Sequence, residues 1–171
     1  MPKILTQKFF EYPTLIVAQE LLGKYLVRQY RGKLISDMIT EVEAYDGPQD
    51  KACHAYKGLT PRTKVMFGPA GYWYVYFTYG MHWMLNIVTD KNNYPAAVLI
   101  RGVKKINGPA RITKFFKIDK QFNHQKAARN TGLWLENRNI RIIKSQIKKS
   151  PRIGVTYAGP IWSKKLYRFY I

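Results

Sequence analysis

The first half of the chain shows two kinds of regular spacing of apolar side chains. From Pro13 to Leu22 the spacing is helical, with proline in the first turn and Gly23 at the carboxyl end. Residues 24–30 and 33–45 then alternate between apolar and polar positions, and Arg31-Gly32 separates the two runs. The pattern therefore predicts a helix followed by a hairpin of two strands.

Strand signals dominate the rest of the chain as well. Further strands are predicted at residues 72–78, 83–88, 97–103, 140–143 and 168–171, and a second helix is predicted from Pro109 onward. No internal repeat and no Gly/Ser-rich or Pro-rich linker divides the sequence. We therefore expect an α+β fold in a single compact domain spanning residues 1–171, with a mainly antiparallel curved sheet and flanking helices.

Composition narrows the class of protein. Of the 171 residues, 46% are hydrophobic and 15% aromatic, which is enough to build a core and excludes an extended disordered chain. A single cysteine and three histidines exclude a disulfide framework, and we expect no metal site. The sequence contains no run of 18 apolar residues and no signal-peptide pattern, so we expect no membrane span and a reduced, cytoplasmic location.

The charge of the chain is large and uneven. The formal net charge is +19, and residues 101–171 contribute +16 of it. Such an excess predicts a polyanionic partner, nucleic acid first and an anionic membrane surface second. Six of the cations are interspersed with apolar side chains: Lys104, Lys105, Arg111, Lys114, Lys117 and Lys120. This favours a packed element whose basic outer face contacts phosphates, with a general contribution to solubility as the alternative.

Few short motifs with a known chemistry are present. The chain lacks the phosphate-binding GxxxxGK[ST] and GxGxxG loops, the HExxH zinc motif and the GxSxG nucleophile motif. Glu41, Glu43 and Tyr45 stand out instead, because they share one face of the predicted strand 33–45. Two such carboxylates can be a solvated pair neutralised by lysines. Alternatively, one of them can be a general base at the mouth of a pocket, with Tyr45 as a stacking wall.

An ordered set of longer motifs extends along nearly the whole chain. The motifs are residues 39–54 (ITEVEAYDGPQDKACH), Thr60-Pro61-Arg62, 66–71 (MFGPAG), Tyr74-Val75-Tyr76, Tyr79-Gly80-Met81, Asn86, 98–101 (VLIR), Asn107-Gly108-Pro109, 151–155 (PRIGV) and 166–171 (LYRFYI). In these motifs the chain resembles the 3-methyladenine (alkyladenine) DNA glycosylase family. The resemblance implies a single compact α+β domain, in agreement with the pattern of predicted elements.

The resemblance also implies a reaction. Glu43 matches the family's general base, which activates the water that attacks C1′ of a flipped nucleotide. Arg101 matches a residue that helps to hold this water, and the carbonyl of Val155 would complete its cradle. The implied enzyme is a monofunctional glycosylase of base excision repair without metal or organic cofactor. Its substrate would be double-stranded DNA containing alkylated purines, and it would act as a monomer at the nucleoid.

Five further residues match the family's base-recognition and DNA-opening positions. Tyr45, His54 and Tyr76 would form the pocket for the flipped base, and Asn86 would discriminate between bases. Tyr79, at the turn after the predicted strand 72–78, would enter the duplex where the nucleotide left. Tyrosine rings favour a cationic purine by about 0.5–2 kcal/mol per contact, which suits alkylated bases.

The same residues allow other interpretations at this point. Arg101 could form a buried structural ion pair with Glu41 or Glu43, His54 could be an ordinary interior histidine, and the aromatic strand 72–78 could be plain core. The whole chain could be a non-catalytic basic nucleic-acid-binding protein, or a glycosylase fold that only recognises damage. Release of a free base from DNA would separate catalysis from binding alone.

Overall fold

Ten strands and four short α-helices make up the regular structure of residues 1–171 in the computed structural model. The strands are β1 (Lys3–Ile4), β2 (Tyr25–Tyr30), β3 (Lys33–Tyr45), β4 (Trp73–Thr78), β5 (His82–Val88), β6 (Ala97–Val103), β7 (Ile106–Asn107), β8 (Leu133–Asn137), β9 (Lys148–Ser150) and β10 (Arg168–Tyr170). The helices are α1 (Gln7–Phe10), α2 (Thr14–Leu21), α3 (Pro109–Phe115) and α4 (Gly159–Trp162). None of the helices is long and apolar enough to cross a lipid bilayer.

The β2–β3 hairpin closes through a turn that the sequence specifies. The two strands pair antiparallel from Tyr25↔Met38 to Tyr30↔Lys33, and only Arg31 and Gly32 lie between them. These two residues have φ of 48° and 75°. Positive φ at both positions is what a two-residue type I′ turn requires. The predicted hairpin is therefore confirmed.

Seven strands form a curled antiparallel sheet in the order β1-β8-β2-β3-β6-β5-β4. The other three strands join this sheet from the side: β10 pairs with β3, β9 with β10, and β7 with β6. The long strand β3 connects the two ends of the sheet, because its residues 33–38 pair with β2 and its later residues pair with β6 and β10. The register with β6 shifts on both sides of Glu41, where Gly102 faces it. A Cβ on Gly102 would lie 2.9 Å from the Cβ of Glu41, so glycine allows the strands to close at this bulge.

The two faces of the sheet have different surroundings. Val42 and Ala44 of β3 point into the main core, in which α2 packs against β3 and α3 packs against β5 and β6. Glu41, Glu43 and Tyr45 occupy the alternate positions and therefore lie on the opposite face. Because α2 and α3 cover the core face, the opposite face is left for a cavity.

Most predicted elements are confirmed within one or two residues, and the α+β fold with a mainly antiparallel curved sheet is confirmed as well. The predicted strand 140–143 is wrong: β8 ends at Asn137, and Ile140–Ile142 make no backbone hydrogen bond. The chain turns away because Asn139 adopts φ of 62° while its N–H donates to the Asn137 side chain. The strands β1, β7, β8 and β9 and the short helices α1 and α4 were not predicted.

Candidate active site

A cavity of about 870 Å³ opens on the face of the sheet opposite to α2 and α3. Glu43 and Tyr45 of β3 line it together with Arg101 of the neighbouring strand β6. His54 and Tyr76 line the same cavity, and so do Val155 and Tyr79. Seven of the eight residues expected at the site therefore meet in one place, although they are spread over more than 110 positions of sequence.

Glu43 is completely buried and yet faces this cavity. The Tyr45 hydroxyl donates to its Oε2 (2.8 Å), and the Ile153 N–H donates to its Oε1 (2.7 Å). Burial raises the pKa of this carboxyl above its usual value, although Arg101 and these two donors favour the charged form. A carboxylate has about four acceptor sites, so Glu43 keeps free capacity to accept a proton or a hydrogen bond from the cavity.

The second carboxylate of the strand, Glu41, is engaged elsewhere. Its Oε1 accepts from Arg101 Nε (3.0 Å) and from Arg168 Nη1 of β10 (2.9 Å), and it does not line the cavity. Arg101 Nε also lies 3.5 Å from Glu43 Oε1. The prediction that Arg101 could pair with one of these glutamates is thus confirmed for Glu41, and the Arg101 side chain also lines the cavity. Of the two carboxylates, only Glu43 is placed to act on a ligand.

The segment 151–155 is fixed behind Glu43 by a sealed ion pair. Arg152 and Asp50 have fully buried side chains, and Arg152 Nη2 donates to Asp50 Oδ1 (2.9 Å). Arg152 Nη1 donates to Asp50 Oδ2 and also to the carbonyl of Ala44 (2.9 Å), next to Glu43 on β3. This anchor sets the position of the Ile153 N–H and of Val155, whose carbonyl accepts from the Ala158 N–H (3.0 Å).

One wall of the cavity is a packed aromatic group. The ring centroids of His54 and Tyr76 are 4.7 Å apart, those of Tyr74 and Tyr76 are 5.1 Å apart, and His54 Nδ1 lies 2.8 Å from the Tyr74 hydroxyl. Arg62 places its guanidinium 4.8 Å from the centre of the Tyr76 ring. Burial, together with the positive charges of Arg62 and Lys57, lowers the pKa of His54 to about 4. His54 is therefore a neutral ring at physiological pH.

Asn86 lies one layer deeper than the other predicted residues. It is absent from the main cavity wall and instead lines a small chamber of about 40 Å³, which shares Tyr45, His54 and Tyr76 with the cavity. Its side-chain Nδ2 donates to the carbonyl of Tyr74 (3.1 Å), which orients the amide. A group that passes between the aromatic side chains would meet this amide at the floor.

Tyr79 stands at the rim, on the three-residue turn between β4 and β5. Its side chain is 82% exposed, and that of Met81 beside it is 66% exposed. The φ of Tyr79 is 51°, a region that aromatic residues rarely adopt and that costs about 1–3 kcal/mol. The fold therefore holds a large aromatic ring out in solvent, at the edge of the cavity, in an unfavourable backbone conformation.

Comparison with known proteins identifies the family. The model of the family described as methylpurine-DNA glycosylase (MPG) matches residues 8–106 and 104–171. The chain belongs to this family. A protein of Legionella pneumophila (strain Corby), named "Putative 3-methyladenine DNA glycosylase", is 46% identical over 98% of this chain and 93% of its own length. A protein of the same name from Myxococcus xanthus (strain DK1622) is 41% identical over 98% of this chain and 89% of its own length. Another, from Wolbachia pipientis wMel, is 44% identical over 97% of this chain and 90% of its own length. The resemblance read from the sequence motifs is thereby confirmed.

Several residues that shape the cavity of this family member were not predicted. Asp50 and Arg152 are 102 positions apart, so no local pattern connects them. Arg168 lies in the C-terminal motif, but only the pairing of β10 with β3 places it beside Glu41. Tyr74 had a usable signal, since it precedes Tyr76 by two positions on the same strand face. No group of three or more His, Cys, Asp or Glu side chains is placed to hold a metal ion.

Proposed function

We propose that the protein is a monofunctional DNA glycosylase that removes alkylated purines, 3-methyladenine above all, from double-stranded DNA. One observation carries the proposal: Glu43 is a buried carboxylate with a raised pKa and free acceptor capacity, aimed into an aromatic cavity. A protein that only binds nucleic acid has no need to bury such a group. Membership of the methylpurine-DNA glycosylase family supports the same conclusion.

In the proposed reaction Glu43 acts as general base on a water held beside it. The water oxygen forms a bond to C1′, its proton passes to Glu43, and the electron pair of the glycosidic bond leaves with the base. An alkylated purine carries positive charge in DNA and departs as a neutral molecule, so one carboxylate is sufficient where ordinary glycosidases use two. Arg101 and the carbonyl of Val155 would hold the water, and no metal or organic cofactor takes part in this scheme.

The aromatic side chains would receive the base after it leaves the helix. A base inside a duplex is out of reach of Glu43, so the nucleotide must rotate out, and stacking on Tyr45 and Tyr76 would offset the lost stacking in DNA. The neutral state of His54 supports this role, because a charged imidazolium would repel a cationic purine. Asn86 at the floor would test the edge of the base by hydrogen bonding.

Tyr79 would keep the helix open while the nucleotide is out. Its exposure and its positive φ support this role, since strained backbone persists where it serves a function. Unstacking costs a few kcal/mol per base step, and an inserted ring offsets part of that cost. Tyr79→Ser should therefore slow base release from duplex DNA much more than from single-stranded DNA. Equal losses on both substrates would assign Tyr79 to the pocket instead.

Six basic side chains between residues 104 and 120 would bind the phosphates, with the protein acting as a monomer on nucleoid DNA: Lys104, Lys105, Arg111, Lys114, Lys117 and Lys120. If about 6–10 phosphates are contacted, log K should fall with log salt by about 0.9 per contact. Charge-neutralising substitutions at Lys104 or Lys114 should each make that slope shallower. A salt-insensitive affinity would contradict phosphate binding.

The deciding experiment measures released bases. The protein is incubated with methylated duplex DNA in the presence of a metal chelator, and the free bases are separated by chromatography. We expect 3-methyladenine in solution and an abasic site in an uncut strand. Binding without any released base would establish the non-catalytic alternative. Strand cleavage that proceeds through a covalent protein–DNA intermediate, which borohydride traps, would contradict the monofunctional assignment.

A further inference from the structure

A second depression lies on the side of the molecule that the proposed reaction does not use. This groove of about 710 Å³ runs between the outer side of α2 and residues 139–149, and we call it the α2 groove. α2 packs with Val42 and Ala44 on the core face of β3, whereas Glu43 and Tyr45 open on the other face. The α2 groove and the active-site cavity have no residue in common. A ligand in one would leave the other free.

One edge of the α2 groove is a chain segment without hydrogen-bonding partners. Ile140–Ile142 neither donate nor accept any hydrogen bond within the protein, although their sequence has the composition of a strand. The segment is held in place, because Ile142 packs over the end of α2, where a Cβ on Gly23 would lie 2.7 Å from its Cγ1. An anchored segment with free N–H and C=O groups can receive an extended peptide by strand addition.

The side chains of the α2 groove combine aliphatic surface with positive charge. Ile16 is 50% exposed and Ile140 is 40% exposed, so two large apolar side chains border the groove in water. Four cations line it: Lys24, Arg141, Lys144 and Lys149. None of the four forms an ion pair, and Glu20 is the single acidic residue of the lining. The groove therefore presents apolar contacts and unpaired positive charge together.

We propose that the α2 groove binds an acidic, extended peptide segment of a partner protein. The free N–H and C=O groups of Ile140–Ile142 would pair with the peptide backbone, aliphatic side chains of the peptide would cover Ile16 and Ile140, and its carboxylates would meet the four cations. Nucleic acid fits less well. The lining contains no aromatic side chain on which bases could stack, and free carbonyls and Glu20 repel phosphates.

The test is a selection from a phage-displayed library of random twelve-residue peptides on the immobilised full-length protein. Duplex DNA is present in excess throughout, so that the active-site face is covered. We expect enrichment of peptides that combine Asp or Glu with aliphatic residues. A synthetic peptide of the consensus sequence, labelled with fluorescein, then gives a dissociation constant by fluorescence anisotropy. Its addition should shift the amide NMR signals of residues 140–142.

A matched pair of variants locates the binding. The double variant Arg141→Glu, Lys144→Glu, which replaces two exposed cations of the groove, should weaken binding of the peptide by at least about tenfold. The control double variant Lys164→Glu, Lys165→Glu makes the same change of net charge elsewhere and should leave the affinity for the peptide nearly unchanged. Base release from methylated DNA should be unaffected in both variants, which separates this proposal from the proposed reaction. No enrichment of acidic peptides, equal weakening in the two variants, or unshifted amides at residues 140–142 would overturn the proposal. Displacement of the peptide by single-stranded DNA would assign the groove to nucleic acid instead.

Discussion

Two buried acids, each with an arginine beside it, lie next to one another in this protein, and the two pairs are built differently. Asp50 and Arg152 make two hydrogen bonds to each other, and both side chains are sealed from solvent. Asp50 also accepts from the N–H groups of Asp46 and Ala52. Glu43 and Arg101 approach only to 3.5 Å, because Arg101 is held more closely by Glu41.

The comparison shows how one kind of residue pair can serve either structure or chemistry. The Asp50 carboxylate has its acceptor sites filled, so it can anchor loops but cannot take a proton from a ligand. Glu43 is as deeply buried but less completely satisfied, and burial raises its pKa. Incomplete pairing next to a cavity is thus the property on which the proposed role of Glu43 as the reactive group depends.

The largest effect should come from Glu43→Gln. We expect the rate of base release to fall by about 10²–10⁴-fold, since the water loses its proton acceptor, while DNA binding persists. Single-turnover assays on methylated duplex DNA, with binding measured by anisotropy, give the two quantities. If Glu41→Gln abolishes base release and Glu43→Gln does not, the wrong carboxylate has been assigned.

The same substitution should stabilise the fold. The pKa of Glu43 is raised in the folded state, so its ionised form at neutral pH disfavours folding. Glu43→Gln should melt at a higher temperature than the wild type at pH 7, and the difference should disappear below the usual pKa of 4.5. A melting temperature below that of the wild type at pH 7 would mean that Glu43 is a structural partner of Arg101.

The second largest effect should be on stability, from Asp50→Asn. The guanidinium of Arg152 would stay buried without its counter-charge, which typically costs about 3–5 kcal/mol. Chemical denaturation gives the free energy of unfolding. The control is Arg138→Gln, which breaks the pair of Arg138 and Glu136, whose side chains are 33% and 6% exposed, and it should cost less because Glu136 keeps its hydrogen bond from Trp134. Equal losses in the two variants would contradict the distinction between a sealed pair and a partly exposed one.

Local sequence predicted the strands of the site, and the family resemblance singled out Glu43, but neither showed what makes Glu41 and Glu43 physically different. The alternation of side chains along β3 places Glu41 and Glu43 on the same face and gives no way to tell their surroundings apart. Only the pairing of β10 with β3, which brings Arg168 to Glu41, separates them. The failed prediction at 140–143 has a similar origin. Its composition suits a strand, but the turn at Asn139 carries the segment away from any pairing edge.

A smaller effect, on the pH dependence, should follow from Glu41→Gln. Without Glu41, Arg101 is free to close on Glu43, and the nearer positive charge lowers the pKa of Glu43. The acid limb of the pH–rate profile should move to lower pH, and the plateau should fall by up to about tenfold because a weaker base accepts the proton. Base release measured from pH 4 to pH 8 gives both quantities. An unchanged acid limb would show that Glu41 does not hold Arg101 away from Glu43.

The smallest effect concerns His54, on the wall that the two pairs support. Burial and, after it, Arg62 and Lys57 lower the pKa of His54 from 6.5 to about 4. Between these two pH values the unfolded chain therefore binds a proton at His54 and the folded protein does not. Stability should therefore decline as the pH falls from 6.5 towards 4, and His54→Gln should remove this part of the decline. Arg62→Gln should raise the pKa of His54 more than Lys57→Gln does, in an NMR titration of the imidazole. The His54→Gln, Arg62→Gln and Lys57→Gln variants could all lose stability with the same pH dependence as the wild type. In that case the aromatic wall is open to water, and the neutral pocket proposed for a cationic base loses its support.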